Sequence, residues 1–389
     1  MHTTKLKQRC KVAFVMPHLD AGGVERVVLN ILTHLDRSRF APALILFNRR
    51  GALLERVPQD VEIHDLSGGK ARWLPVRLAR TFAALDTEVA YGGTNAANLT
   101  SLVAAYLMRH PPAIIASEHT PPAPYLSDAK MRRLRLPLMR WLYPRAAAVA
   151  VPVGRLGDDL RDVLRRPSLR VVALANPVLD SLPQPSPPPT HKAAPDQGAA
   201  FLTAGRLSQE KGFDVLISAF ARLLPEFPEA RLTICGEGPE RASLEALCRT
   251  LGVAGHVEMP GFVQDPIGRL GAGRIFVLSS RREGFPNVLI EALAAGMPIV
   301  AADCPVGPRL ALEHGLYGLL VAPQDPAALA EGMRQLVVDH TVADTYRRLG
   351  PLRAAPFTVE AAASGFADLF ETVAERRGAS PVNRIGAPA

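Results

Sequence analysis

Only four cysteines occur in the 389 residues, at positions 10, 235, 248 and 304, and no two of them make a CxxC pair or join histidines at zinc spacing. That excludes a zinc ribbon and a dithiol redox centre. Cys235 and Cys304 lie in or beside apolar runs and read as small buried hydrophobes. Aromatics make up 6% of the chain, ordinary for a soluble α/β protein. No apolar run reaches the roughly 18–20 residues that cross a bilayer. The stretch after the basic start (Met1 to Lys11) is only Val12 to Met16, too short for the apolar centre of a signal peptide, so a cytoplasmic protein is expected. There is no P-loop, HExxH, GxSxG elbow or full GxGxxG, and no Asp-x-Asp pair to hold a divalent ion. The expectation is a site with no metal ligands and no bound cofactor.

What is present is length, alternation and positive charge. A chain of 389 residues makes two domains more readily than one. Near-continuous apolar runs predict strands at Lys11–Pro17, Ala41–Phe47, Glu88–Tyr91, Ala113–Ser117, Ala147–Val151 and Val171–Leu174, separated by stretches of helical spacing such as Val24–Leu35. Seven prolines then fall between Pro177 and Gly198, the composition of a semi-rigid linker. Alternation restarts with strands at Ala200–Ala204, Arg231–Cys235, Val257–Met259, Ile275–Leu278 and Ile299–Ala302, and helices at Phe213–Leu224 and Pro239–Leu251. Two α/β units with parallel sheets covered on both faces follow, with a ligand expected at the strands' carboxyl ends. An amphipathic helix over Val359–Arg376 closes the fold, and Gly378–Ala389 has few apolar anchors. The net charge of +8 suits an anionic small substrate or an anionic membrane surface. No RNA-binding signature accompanies it, so no nucleic-acid partner is expected.

Several short segments carry chemistry. In Arg282-Glu283-Gly284-Phe285-Pro286-Asn287-Val288-Leu289-Ile290-Glu291, one carboxylate sits in a Gly/Pro loop and another one turn into a helix opening near Asn287. The pair can grip a polyhydroxylated ligand at two points, while the helix N-terminus offers free N–H groups to an anion. Arg206 and Lys211, in Gly205 to Gly212, sit between a strand end and a helix, where two cations can neutralise a diphosphate. Gly22-Gly23 follows the first strand and lets backbone approach a ligand, or simply makes a tight turn. Gly236-Glu237-Gly238-Pro239 reads as an architectural turn, since Arg241 replaces the third glycine of a dinucleotide fingerprint. His119, in Ser117-Glu118-His119-Thr120 at a strand end, can hydrogen-bond or pass a proton. The segment Lys130 to Trp141 is basic and apolar together; with Met131, Leu134 and Leu138 on one helical face it could lie on an anionic leaflet or pack on its domain, and Pro137 would interrupt it.

Together these residues resemble the group 1 (family 4) retaining glycosyltransferases of the GT-B fold. The resemblance is strongest from Ser279 to Pro308 and extends to Gly22–Arg26, Gly205–Gly212, Gly236–Pro239 and Gly261–Val263. Arg282 stands where an aromatic is common in the family, and Leu310 where a glutamate is. The resemblance implies two Rossmann-like domains facing across a cleft. Residues 1–176 would bind the acceptor, 177–198 would link, 199–357 would bind the nucleotide sugar, 358–377 would pack back on the first domain, and 378–389 would be a disordered tail. It implies that Glu283 holds donor-sugar hydroxyls, Glu291 the ribose, and Arg206 and Lys211 the diphosphate, with help from backbone N–H groups around Phe285, Asn287 and Val288, and with Gly284 and Pro286 in the same donor-binding loop. Phe262-Val263 would meet the base, His119 the donor sugar, and Gly22-Gly23 the donor phosphate or the acceptor. The implied reaction moves a hexose or N-acetylhexosamine from a nucleotide diphosphate sugar, with UDP favoured, to a glycan or lipid-linked saccharide at the cytoplasmic face of the inner membrane. The alternatives are a nucleotide-sugar 2-epimerase of the same architecture, a non-catalytic sugar-nucleotide-binding subunit, and an NAD-dependent oxidoreductase, the last weakened by the missing GxGxxG.

Overall fold

The computed structural model describes residues 9–20, 22–120, 131–182, 198–305 and 307–379, and the side chains of these except 131, 132, 378 and 379. The chain forms two compact units, Met1–Val178 with Val359–Ala389, and Leu179–Thr358.

In chain order the first unit contains β1 (Cys10–Met16), α1 (Gly23–His34), β2 (Phe40–Leu46), β3 (Glu62–Asp65), α2 (Leu74–Ala84), β4 (Val89–Gly92), α3 (Asn95–Tyr106), β5 (Ala113–Ser117), α4 (Leu136–Leu142), β6 (Ala148–Val151), α5 (Gly154–Leu164) and β7 (Val171–Ala173). The second contains β8 (Ala200–Ala204), α6 (Phe213–Leu223), β9 (Arg231–Cys235), α7 (Arg241–Thr250), β10 (Val257–Gly261), α8 (Pro266–Leu270), β11 (Ile275–Leu278), α9 (Asn287–Ala294), β12 (Ile299–Ala302), α10 (Gly307–Ala311), β13 (Leu319–Val321), α11 (Pro326–Val338) and α12 (His340–Ala354). The last helix, α13 (Val359–Ala379), belongs to the first unit.

Both sheets are parallel throughout and share one plan. The first runs β3-β2-β1-β4-β5-β6-β7 and the second β10-β9-β8-β11-β12-β13. In each, chain order reverses beside the first strand, which opens a crevice at the carboxyl ends of β1 and β4 or of β8 and β11. The central strands are apolar on both faces because helices cover both; β4, β6, β11 and β12 are buried at every residue. The two strands that the apolar pattern passes over, β3 and β13, are both sheet edges. β3 reads Glu-Ile-His-Asp with its end residues exposed, and β13 has three half-buried residues.

Aromatic rings dominate the first core. Phe370 of α13 packs edge-on against Phe14, Tyr91 and Phe40 at centroid distances of 5.8, 6.0 and 6.1 Å, and Phe366 packs on Tyr91 at 6.0 Å. The second core has a similar pair, Phe201 and Phe220, at 6.1 Å. Pro177 and its neighbours are anchored: Asn30 Nδ2 donates to Pro177 O at 2.9 Å, and Leu179 N to Phe357 O at 3.1 Å. Of the expected linker, residues 183–197 lie outside the described residues, as do 380–389 of the expected tail.

The expected face of the basic segment is corrected by the structure. Leu134 is 72% exposed and Leu138 half-buried, whereas Leu136, Met139 and Leu142 are buried. Residues 131–135 wind as a wider π-type turn, and regular α-helix starts only at Leu136. The change of pitch rotates the apolar stripe. Pro137 lies at the start of α4, where its missing N–H has no helical partner to lose, and so does not break it. Residues 121–130, including Lys130, lie outside the described residues.

Candidate functional site

In the second unit the loops after β8, β9 and β10 are stitched side by side. Gly205 N donates to Cys235 O at 2.9 Å, Gly236 N to Gly261 O at 2.7 Å, and Leu207 N to Glu237 O at 2.9 Å. Gly236 has φ +143°, and a Cβ there would lie 1.9 Å from Gly205 O. The Gly236–Pro239 turn therefore serves close packing of loop on loop.

The switch point between β8 and β11 brings Lys211 and Glu283 together. Lys211 Nζ donates to Glu283 Oε1 at 2.6 Å, and Ser280 Oγ donates to the same oxygen at 2.7 Å. The Glu283 side chain is 10% exposed and that of Lys211 27%. Neighbouring groups fix both partners. Ser279 Oγ donates to Lys211 O at 2.9 Å. Arg281 donates to both carboxylate oxygens of Asp214, at 2.8 and 2.6 Å, and to Gln209 O at 2.8 Å. The forked contact holds Asp214 below its ordinary carboxylate range. Gly212 has φ +63°, and a Cβ on it would sit 2.3 Å from Ser279 O, so a side chain here would push the two loops apart. Cys304 lines the far side of this pair. Burial first, and the Glu283 charge second, push its thiol up to about 12, so it is an inert neutral wall.

The loop from Glu283 enters α9 through buried Gly284, Phe285 and Pro286. Phe285 stacks on Phe357 at 5.1 Å with 25° between planes, and Arg353 lies 5.1 Å over the other ring. A Cβ on Gly307 would come within 2.5 Å of Gly284 O, so α10 also packs on this loop. Pro286 caps α9 without a side-chain bond, and the first turn presents N–H groups that the helix itself cannot satisfy. Asn287 and Val288, in that turn, and Glu291, one turn on, are half-buried. Phe262 is 56% exposed just past β10, beside half-buried Val263, and Arg206 is exposed on the loop after β8.

The other expected residues, His119, Gly22 and Gly23, belong to the first unit. His119 follows β5; its Nε2 lies 2.5 Å from Ser117 Oγ, and its buried Nδ1 meets no partner among the described residues. Burial lowers its pKa to about 4, so at neutral pH the ring is uncharged and serves as a hydrogen-bonding group. Gly22 precedes α1, and a Cβ on it would fall 2.2 Å from Glu25 Oε2, which fills the space beneath the loop. Burial raises the pKa of Glu25, whose carboxylate lies 3.8 Å from His18 Nδ1.

Spacing alone passes over Glu118. Its side chain is buried and accepts from Asn95 Nδ2 at 2.9 Å, from Asn98 Nδ2 at 3.3 Å and from Tyr143 OH. Asn98 also bridges to Ser117, donating to its O at 2.7 Å and accepting from its N at 3.1 Å. The available signal was the Asn95/Asn98 pair, three apart on one face of an otherwise mostly apolar helix. Among the described residues, no three His, Cys, Asp or Glu side chains gather as they would around a metal ion, and no helix is long and apolar enough to cross a membrane.

Comparison with known proteins shows the two halves of the chain to be the two halves of one architecture. Residues 21–180 match the family model "Glycosyltransferase Family 4", and residues 190–351 match "Glycosyl transferases group 1". The chain is a GT-B glycosyltransferase. Among curated relatives, this glycosyltransferase is 32% identical over 235 residues to an exopolysaccharide phosphotransferase of Streptomyces coelicolor, covering 60% of the chain but 24% of that protein. It is 28% identical over 366 residues to the N-acetylgalactosamine-N,N'-diacetylbacillosaminyl-diphospho-undecaprenol 4-alpha-N-acetylgalactosaminyltransferase of Campylobacter jejuni, covering 89% of the chain and 95% of that protein. It thus spans about a quarter of the first relative and nearly all of the second. Among solved structures, Anabaena Alr3699/HepE in complex with UDP and glucose superposes with a TM-score of 0.78 at 22% identity, over 94% of this chain and 100% of that one.

Proposed function

We propose that this glycosyltransferase moves a hexose or N-acetylhexosamine from a UDP-sugar to a lipid-linked saccharide or glycan acceptor in cell-surface polysaccharide synthesis, with retention at the anomeric carbon. The observation that carries the proposal is the Lys211–Glu283–Ser280 contact at the β8/β11 switch point, next to the open first turn of α9. In this reading Lys211, exposed Arg206 and the α9 N–H groups would take the diphosphate, and Glu283 and Glu291 the sugar and ribose hydroxyls on either side of it.

The main catalytic term is stabilisation of the leaving diphosphate. Lys211, Arg206 and the α9 N–H groups meet its growing negative charge with donors already held in position. Both bonds to Glu283 fall on Oε1. Oε2 would take a donor-sugar hydroxyl, and Glu291, one turn into α9, would take the ribose. Since the Glu283 charge is engaged by Lys211, it makes a poor nucleophile, which favours front-side displacement over the two-carboxylate scheme. The bond from the anomeric carbon to the phosphate oxygen breaks through an oxocarbenium-like state. The acceptor oxygen bonds to the same face, and its proton passes to the departing phosphate. Neutral His119 contributes a hydrogen bond to the sugar rather than a charge.

The C. jejuni relative, named for N-acetylgalactosaminyl transfer onto a diphospho-undecaprenol-linked saccharide, supports the lipid-linked acceptor and an N-acetylhexosamine. The UDP complex of the Anabaena protein and the Cys304–Pro308 sequence support the nucleotide. We place the reaction at the cytoplasmic face of the inner membrane. The test is calorimetric titration with UDP, GDP and their sugars without added metal, followed by NMR of the glycoside formed. UDP binding that is lost in Glu291→Ala, together with a product of the donor's own anomeric configuration, is expected. An inverted product would end the retaining mechanism, and donor turned into its 2-epimer without acceptor would replace transfer by epimerisation.

A further inference from the structure

The loop that leads from Glu283 into α9 rests on an aromatic stack, and the supporting ring lies next to the point where the chain leaves the second unit. Phe285 and Phe357 are both buried, with centroids 5.1 Å apart and 25° between their planes. Stacked rings prefer particular offsets, so the pair fixes the loop's orientation as well as its distance. Arg353, at the end of α12, lies 5.1 Å over the Phe357 ring. Its guanidinium is itself fixed: Nε donates to Ala311 O at 3.0 Å, Nη2 to Leu310 O at 3.1 Å, and Nη1 lies 3.4 Å from Glu313 Oε1. One cation therefore ties the end of α10 to the ring. α10 in turn meets the loop, since a Cβ on Gly307 would lie 2.5 Å from Gly284 O and 2.8 Å from Pro286 Cδ. α12 packs closely on α9, where a Cβ on Gly350 would fall 2.6 Å from Leu293 O. The loop and α9 are thus braced by α10, α12 and the turn Ala355–Phe357, none of which supplies a group to the donor in the proposed reaction.

Phe357 has a second attachment. Its carbonyl accepts from Leu179 N at 3.1 Å, and Leu179 pairs with Thr358 in an isolated parallel bridge. Leu179 and Thr358 are the first and last residues of the second unit. The entering and leaving chain are bonded to each other, and one of those bonds is made by the residue whose ring supports the loop.

We infer that Phe357 is a positioning residue for the transfer reaction: its ring sets the place of the Glu283–Asn287 loop, and its carbonyl carries any shift of that loop to the Leu179–Thr358 crossing. A ligand that orders the loop orders the crossing with it. The inference rests on the proposed donor site, because the ligand at the loop is the UDP-sugar of that reaction.

Hydrogen–deuterium exchange of the full chain, with and without UDP, reads both ends of this link. UDP should slow exchange in the loop at 284–288 and in the peptide containing Leu179, each by about threefold or more. Phe357→Leu keeps the bulk and removes the flat ring. It should hold UDP affinity within about threefold, lose the slowing at Leu179, and lower turnover about 10–100-fold with the donor KM little changed. Phe357→Tyr, which keeps the ring, should restore both turnover and the slowing at Leu179. Phe220→Leu removes a ring from the core of the same unit. It should lower stability yet leave turnover and the link intact, whereas a purely structural role for Phe357 would make the two leucine variants alike. UDP that slows the loop but not Leu179 in the parent chain would overturn the proposal without any variant having to fold. So would Phe357→Leu with the parent's turnover, or Phe220→Leu with the same losses. A chain that does not bind UDP would end the donor-site reading instead. The link is then read without ligand: Phe357→Leu should speed exchange at the loop and at Leu179 together, by about tenfold, and faster exchange at one alone or at neither would overturn it.

Discussion

Two glutamates at strand ends, Glu283 in the second unit and Glu118 in the first, show how the same side chain is put to different uses. Both are largely enclosed. Glu283 is held by a cation and a hydroxyl on one oxygen, in the loop that leads into the uncapped start of α9. Glu118 is held by two asparagine amides and a tyrosine hydroxyl, with Asn98 also tied to the backbone of β5. A carboxylate facing an ammonium keeps its charge, and a ligand can redirect it. A carboxylate enclosed by amides and a phenol is committed to those partners, and removing it strands several donors at once. The first arrangement suits a site, and the second secures the strand end on which His119 sits.

The comparison breaks if the two glutamates respond alike to substitution. Glu283→Gln preserves shape and removes the charge opposite Lys211. We expect turnover to fall about 10²–10³-fold, while UDP affinity, which needs no sugar contact, stays nearly unchanged and stability shifts by about 1 kcal/mol or less. Steady-state kinetics beside calorimetry reads this directly. Turnover close to the parent's would remove Glu283 from the reaction. For Glu118→Ala the expectation is reversed: about 3 kcal/mol lost from the unfolding free energy, because Asn95, Asn98 and Tyr143 are left with unmet bonds in a buried setting. Glu118→Gln, which can still accept, should recover part of it. A thermal midpoint unmoved in Glu118→Ala would show the network to be solvated and of little structural weight.

These two residues also show what was legible in the sequence. The α/β alternation could be read because buried parallel strands must be apolar on both faces, and β4, β6, β11 and β12 are. β3 and β13 escaped because an edge strand needs neither a long run nor two apolar faces. The Lys211–Glu283 pairing could be anticipated only as proximity, since both lie in loops after strands of one unit. The bond itself depends on Gly212 letting the two loops close, which no periodicity encodes. The register of α4 was hidden by a change of helical pitch before Leu136. Glu118 drew no notice because a single acid beside a histidine carries no pattern; its partners lie on α3 and just after α4.

The smallest expected effect sharpens the comparison through pH, at the residue next to Glu118. His119 titrates at about 4 in the folded chain, lowered by burial, and near 6.5 when unfolded. Above the unfolded value both states are neutral, and the group makes no difference. As pH falls from about 6.5 towards 4, the unfolded chain takes up the proton first, so stability is lost across that window. The ring is only partly enclosed, so the loss is on the order of 2 kcal/mol rather than the full value of the shift. His119→Gln removes the titration while keeping a hydrogen-bonding side chain. The difference in unfolding free energy between parent and variant, measured by denaturant titration at several pH values, should be flat above pH 7 and slope below it. A difference that stayed constant down to pH 4 would mean that His119 is already charged or freely hydrated in the folded protein. The Ser117–His119 contact would then no longer describe how the ring is held at the end of β5.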